Sequence, residues 1–567
     1  MSTANPPSNT SRLAAYLAKL SPVPAFPQYT GPYKVGTVDV EIPVADLPSP
    51  SPAPAAAVDA GIETIQYRVF YPAVPESAEK PISWLPAPQR SHVSAYTQFV
   101  GINQMLAGML SFLPRYLHYA TIPAHKNAKL LPATTDNKRW PTMIFSHGLG
   151  GNRTSYSYIA GSLASHGVVV VCPEHRDGSA VVTYVRLPDQ TTTSSRFFPA
   201  SARREVPYRR ISHDVTPAVY EAREDQLRIR LWEMGLVHEA LLATDARRPF
   251  TNLNLSTPSL DQFAGALDVL RPGSLIFAGH SFGAATVHQL LKCTYHADSP
   301  AVAAMEKLLF TPAKDSSIRR QITEKNVTML LDMWCMPLLA PNSAPLFNLP
   351  LPAYADTASA PGGTGLLAVE SEVFFKWKEH LHVKARLISP DPATKTVSPR
   401  TFETDGGIKH AEPNFFYVVN SAHLSQSDVG ILFPYLTKKI FDAEQPERAL
   451  RLNLRAQLQL LRANGIPVAR THASDLVDDN NAHLDKLDVK TNRNTADDKA
   501  IFDRSGTNLV GNWTWIDVIG LGDADEQETG KTAAEQVEDG EELMKGELEP
   551  SEQPVNATPV AVVDTTA

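Results

Sequence analysis

Cysteine is scarce: 567 residues hold three, Cys172, Cys293 and Cys335. An odd count without metal-ligand spacing excludes a disulfide framework and a thiolate metal site, and the three read as small buried apolar residues. Long apolar runs are missing too. The longest uncharged stretch, His92 to Pro114, carries Ser, Thr, Gln and Asn throughout and would be costly to insert into a bilayer, so no transmembrane helix is expected. Excess positive charge is lacking: 52 Lys and Arg against 60 Asp and Glu leave a net charge of -8, which argues against nucleic acid as a partner. The N-terminus, MSTANPPSNTSRLAAYLAKL, lacks the basic start and apolar centre of a secretory signal. A cytoplasmic location is the expectation, with peripheral membrane contact left open. The Ser/Thr-rich, acid-free stretch before Asp39 also leaves a mitochondrial transit peptide open.

What the chain does have is an ordinary apolar share, 43%, and many prolines, 46, a mixture that suits one large domain with long irregular connections. Residues 1–30 read as a flexible leader. Lys34–Ile42 and Ile62–Tyr71 are strand candidates on either side of a Pro/Ala loop, Leu47–Ala57. Between Tyr96 and Leu117, the residues Phe99, Ile102, Leu106, Met109 and Leu113 share one helical face, which either packs on the core or rests on a membrane surface. Val215–Thr244 is helical, with Leu227, Leu231, Met234 and Leu241 on one side, and Arg448–Arg462 is a second amphipathic helix expected to be the final packed element. The domain is therefore drawn over residues 31–465. Within it, the Pro/Ala-rich stretch 337–365 reads as a surface excursion or lid. Residues 479–567 turn polar and then acidic and read as a mostly disordered tail. Its Gly530-Lys531-Thr532 resembles half a phosphate-binding loop, but Asp525 stands where the first glycine belongs and no strand precedes it.

The chemistry centres on LIFAGHSFGAA, Leu275 to Ala285. An apolar run, Leu275–Ala278, stops at Gly279-His280-Ser281-Phe282-Gly283, after which Ala284, Ala285, Val287 and Leu290 resume at helical spacing. Strand, sharp turn and helix are the context of a G-x-S-x-G nucleophile elbow, where the residues two before and two after the serine must be nearly free of side chain. Upstream, the strand Thr142–Phe145 ends in Ser146-His147-Gly148-Leu149-Gly150-Gly151-Asn152, a glycine loop able to turn backbone N–H groups toward a developing negative charge. It does not have dinucleotide-binding spacing. The strand Val168–Val171 leads into Cys172-Pro173-Glu174-His175-Arg176-Asp177, which reads either as a salt-bridged structural turn or as a device that orients its neighbours.

Further strands, Val327–Leu331, Leu366–Val369 and Phe415–Val419, run into Asp332, Glu370 and Asn420-Ser421-Ala422-His423. Open parallel sheets gather their chemistry beyond the carboxyl ends of the strands, where Leu149, Ser281, Asp332 and His423 all lie. A serine hydroxyl needs a base to become nucleophilic, and His423 alone among the histidines combines a strand end, small polar neighbours and a place after the acid. Either Asp332 or Glu370 could orient that imidazole. The order serine, acid, histidine predicts an α/β-hydrolase fold, a mostly parallel sheet with helices on both faces.

MIFSHGLGGNRTSYSYIAGSLASHGVVVVCPEHRDGSA followed by GHSFGAAT resembles the platelet-activating-factor acetylhydrolases of the plasma and intracellular type II group, with similarity spread from Gly31 to Arg462. The resemblance favours Asp332 over Glu370, because Leu331-Asp332-Met333-Trp334-Cys335-Met336-Pro337 is similar to the family's D-x-W-x-P-like acid segment with one extra residue. Ala422-His423-Leu424-Ser425-Gln426 fits the family's histidine segment. Carried over by position, the oxyanion donors are the N–H groups of Leu149 and Phe282. The resemblance implies a serine esterase that removes the sn-2 acetyl, short or oxidised acyl group of glycerophospholipids through an acyl-enzyme, with no calcium, metal or other cofactor. The same residues on neutral esters would make a carboxylesterase or lipase. A silent hydrolase-fold scaffold with a partner-recruiting acidic tail is the reading outside enzymes.

Overall fold

The computed structural model describes residues 26–99, 104–111, 115–187, 203–257, 259–404, 406–433, 446–476, 495–505 and 509–522. The predicted runs form one sheet. Its strands in chain order are β1 (Lys34–Pro43), β2 (Thr64–Ala73), β3 (Pro81–Ser83), β4 (Thr121–Lys126), β5 (Trp140–Ser146), β6 (Val169–Glu174), β7 (Ile276–His280), β8 (Thr328–Leu331), β9 (Leu366–Ser371), β10 (Asn414–Val418) and β11 (Trp513–Trp515). They lie side by side in the order β11-β10-β9-β8-β7-β5-β6-β2-β1-β4-β3. From β6 across to β10 every pairing is parallel, while β2 joins β6 and β11 joins β10 antiparallel. This is the α/β-hydrolase arrangement.

Apolar residues on both faces of the central strands require cover on both faces. Phe277 points to one side with Ile144 of β5, and Ile276 and Ala278 point to the other with Met143 and Phe145. The first side is covered by α4 (Pro217–Asp245) and α5 (Phe282–Tyr295), the second by α3 (Ser157–Ser165) and α8 (Pro446–Ala463). Earlier in the chain lie α1 (Gln89–Phe99) and α2 (Gln104–Leu110), and between β9 and β10 lie α6 (Glu372–Lys376) and α7 (Lys378–Leu387). All three cysteines are buried and unbridged. No helix among the described residues is long and apolar enough to cross a membrane.

Two expectations need correcting. Residues 337–365 are not a surface excursion: Leu338, Leu346, Leu351 and Tyr354 are at most 3% exposed, and α5 holds the segment through Lys292 Nζ to the Phe347 carbonyl (3.0 Å) and His296 Nε2 to the Pro350 carbonyl (2.9 Å). Their prolines set a run of short 3-10 turns around apolar anchors, which composition alone disguises. The domain does not end at 465 either. Trp513–Trp515 pairs with Phe416–Val418 as the outermost strand, Trp513 stacks on Phe416 at 5.1 Å, and Asp498 bonds the buried Arg455 of α8. That stretch belongs to the catalytic sheet although it lies inside the expected tail. The rest of that tail, 479–494, 506–508 and 523–567, and the leader through residue 25 lie outside the described residues.

Candidate active site

Ser281 sits between β7 and α5 with φ 56° and ψ -123°, a left-handed conformation costly for a side chain and held here by its surroundings. Its N–H donates to the Leu331 carbonyl (2.9 Å), and its own carbonyl accepts from Trp334 N–H (3.2 Å). The glycine requirement is steric. A Cβ at position 279 would come 2.4 Å from the Gly283 carbonyl oxygen, and one at 283 would come 2.0 Å from that of Ser146. The glycine loop is equally close, since a Cβ on Gly148 would lie 2.9 Å from Cβ of Ser281.

Asp332 follows β8 with φ 40° and is fully buried. One carboxylate oxygen accepts from Ser371 N–H (2.5 Å) and the other from Nδ1 of His423 (3.0 Å). Burial pushes this carboxyl up from its usual range, while the Lys384 ammonium and the Ser371 bonds pull it down. His423 is 2% exposed, and its imidazole lies between two rings: Phe374 of α6 stacks on it at 4.3 Å and 4°, and His280 faces it at 4.4 Å. Burial and then the Lys384 charge hold its pKa well below the ordinary value, so the imidazole is neutral and able to accept a proton. Glu370, the other acid the sequence left open, is bonded to the ammonium of Lys384, both fully buried. It does not reach the imidazole position that Asp332 occupies.

Two backbone N–H groups belong to the elbow and to the glycine loop packed against it. Phe282 is the first residue of α5, so its N–H has no acceptor within the helix. Leu149 N–H donates to no backbone group among the described residues, whereas its neighbour Gly150 is tied to the Ser179 carbonyl (2.8 Å). Beneath this loop is a network of which the sequence reading had only the Glu174–Asp177 turn. Ser146 Oγ donates to Nε2 of His175 (2.9 Å), and Nδ1 of His175 donates to Glu233 of α4 (2.9 Å). Arg230, also on α4, bonds the His147 carbonyl (2.8 Å), Asp177 (2.6 Å) and Ser179 (2.5 Å), and its guanidinium lies 4.4 Å over the Phe282 ring. The Glu174–Asp177 turn is thus both salt-bridged and tied to the loop it could orient. The only sequence signal for α4's part was Glu233 and Arg230 falling on a helix otherwise read for its apolar face.

The helical face read from Phe99 to Leu113 is only partly visible. Phe99 packs edge-on against Tyr208 at 4.9 Å and sits where a side chain on Gly150 would fall, so it adjoins the glycine loop. Leu106 is exposed, as is Met105, whereas Ile102, Leu113 and the side chain of Met109 lie outside the described residues. An apolar cavity of about 110 Å³ opens beside Trp334, lined also by Tyr220, Met336, Leu339, Trp377 and His380. His280, Asp332 and His423 bring one nitrogen or oxygen each within 4.8 Å of one another. Both Asp332 oxygens and the His280 Nδ1, which meets the Tyr156 hydroxyl at 2.8 Å, are already engaged in hydrogen bonds within the protein.

This chain is similar to known proteins along most of its length. A fission yeast (Schizosaccharomyces pombe) protein named "Putative phospholipase A2" is 26% identical over 463 residues, 78% of this chain and 92% of its own. The platelet-activating factor acetylhydrolases of dog and guinea pig are each 30% identical, over 40% and 47% of this chain, which spans about half their length (46% and 52%). Among solved structures, a ferulic acid esterase from Streptomyces cinnamoneus is 15% identical, covering 77% of this chain and 91% of its own with a TM-score of 0.40. The family model described as platelet-activating factor acetylhydrolase, isoform II matches residues 19–344, more than half of the chain, and the chain belongs to that family.

Proposed function

We propose that this chain is a calcium-independent serine esterase that hydrolyses the sn-2 acetyl, short or oxidised acyl ester of glycerophospholipids such as platelet-activating factor. The observation that carries the reading is the Asp332–His423 hydrogen bond (3.0 Å) beside a serine held in an elbow. In this mechanism Ser281 Oγ attacks the ester carbonyl carbon and its proton passes to Nε2 of His423. The carbonyl electron pair moves onto oxygen, where the N–H groups of Leu149 and Phe282 receive it. Collapse expels the lysophospholipid alkoxide, which takes the proton from His423. Water then attacks the acyl-enzyme with His423 as base, releasing the carboxylic acid and restoring Ser281. Asp332 keeps the imidazole in the tautomer that accepts at Nε2 and stabilises the imidazolium.

Family membership supports an ester of a phospholipid as substrate. The test is hydrolysis of an acetyl and a long-chain sn-2 phospholipid, with a calcium chelator present, by the wild type and by Ser281→Ala. The wild type should cleave the acetyl lipid faster and be labelled by a fluorophosphonate. Ser281→Ala should fold, lose labelling and lose turnover. Unchanged turnover in that variant removes Ser281 as the nucleophile.

A further inference from the structure

Behind the imidazole, on the side away from His280, a buried ion pair is left over by the mechanism. Lys384 of α7 and Glu370 of β9 are both fully buried and bonded to each other. The Lys384 ammonium also lies 5.1 Å over the ring of Phe374, the ring that stacks flat on His423. The second Glu370 oxygen, Oε1, is buried without a hydrogen-bond partner among the described residues. Ser371, one residue on from Glu370, gives its N–H to Asp332. The pair therefore touches the triad twice: through the Phe374 ring against His423, and through the strand end that holds Asp332. A buried pair of this kind contributes little net stability compared with apolar side chains of the same size.

We infer that Lys384 and Glu370 are positioning residues for His423, their opposed charges holding the local potential at a level where the imidazole can both accept and release the serine proton. The inference rests on the assignment of Ser281, His423 and Asp332 above. Among the described residues, the groups around His423 include Asp332 beyond β8, His280 at the end of β7, Phe374 of α6, and His380 and Lys384 of α7, with Glu370 of β9 joined to them through Lys384. Among these, with neutral imidazoles, Lys384 is the one base that carries charge, and Asp332 and Glu370 are the acids; burial pushes the Glu370 carboxyl up and the bonded Lys384 ammonium pulls it down. Removing one member of the pair shifts the balance in a known direction. Without Glu370 the ammonium opposes the imidazolium; without Lys384 the extra carboxylate favours it.

The readout is the acid limb of the pH profile of kcat/KM in Glu370→Gln, Lys384→Met and the double variant, with fluorophosphonate labelling of Ser281 in each. Glu370→Gln should move the limb down by on the order of one pH unit and lower kcat about tenfold with KM little changed. Lys384→Met should move it up. The double variant, with both charges gone, should return it near the wild type. Where Lys384→Met does not fold, Glu370→Gln, which keeps the shape of the side chain, carries the test alone. Labelled, folded Glu370→Gln with an unmoved limb, or both single variants moving it the same way, overturns the inference. An unlabelled wild type instead overturns the serine assignment on which it rests.

Discussion

Asp332 and Glu370 end neighbouring strands and are chemically alike, yet their surroundings divide them. Asp332 accepts from His423, while Glu370 is spent on Lys384. Asp332→Asn is therefore expected to lower kcat by about 10⁴, because an amide there favours the wrong imidazole tautomer, against the roughly tenfold expected for Glu370→Gln. Steady-state kinetics on the two variants, with Ser281 labelling as a folding control, measure the difference. Ser281 and His423 could be proposed from the sequence because the elbow has a local steric signature and the histidine follows a strand end. Strand ends alone left the choice between the acids open, and only the resemblance of the segment around Asp332 favoured that residue. The choice depends on Lys384, fourteen positions beyond Glu370 on a separate helix, and no spacing rule connects the two. Phe374 and His280, which enclose the imidazole, escaped for the same reason: stacking is a tertiary contact with no pattern along the chain.

At the scale of elements, what repeats along the chain was read well. The helix expected over Val215–Thr244 is α4, Pro217–Asp245, started by the Thr216 side chain accepting from Val219 N–H with proline in the first turn. The apolar periodicity said which face packs, but not that the polar residues on α4 are buried too. Arg230 and Glu233 are fully enclosed because the glycine loop and the Glu174–Asp177 turn come down onto them. That junction is also where pH should act on stability. Glu174 ends β6 and bonds Arg153 through both its backbone N–H (3.1 Å) and its guanidinium (2.7 Å). Burial pushes its carboxyl up, but the Arg153 charge and these bonds outweigh it and bring the pKa from 4.5 to about 2. The folded state thus releases this proton more readily than the unfolded chain, so the stabilisation is complete above about pH 4.5 and lost as pH falls toward 2. Shifts of this size correspond to roughly 3 kcal/mol. Urea unfolding should find Glu174→Gln less stable than the wild type by about that much at pH 7, with the gap narrowing as the pH drops below 4. A gap independent of pH would mean that the pair is not ionised in the fold.

For the whole molecule, the limit of the folded unit was the hardest feature to read, because the short apolar segment that completes the sheet, Leu509–Gly522, is set between polar and acidic stretches. Three residues, Trp513–Trp515, form β11, and their short length and long separation from β10 leave no periodic signal. Their energetic weight comes from elsewhere in the fold. Trp513 is 5% exposed, stacks on Phe416 and donates its indole N–H to the Ile501 carbonyl (2.8 Å). Asp498 supplies both carboxylate oxygens to Arg455 (2.5 and 3.0 Å), which is fully buried within α8. A chain ended after residue 465 therefore gives up a large aromatic burial and strips a buried guanidinium of its carboxylate, a loss of about 3–5 kcal/mol for the ion pair alone. It also uncovers the β10 edge, with free backbone groups beside Phe416, as a template for association. A chain ended after residue 522 keeps all of these contacts. Thermal unfolding of the two truncations beside the full chain should place the longer one within about 2 °C of the parent, and the shorter one lower by more than about 5 °C with aggregation on heating. Equal midpoints for both would show that β11 and the Asp498–Arg455 pair add nothing to the stability of the sheet they complete.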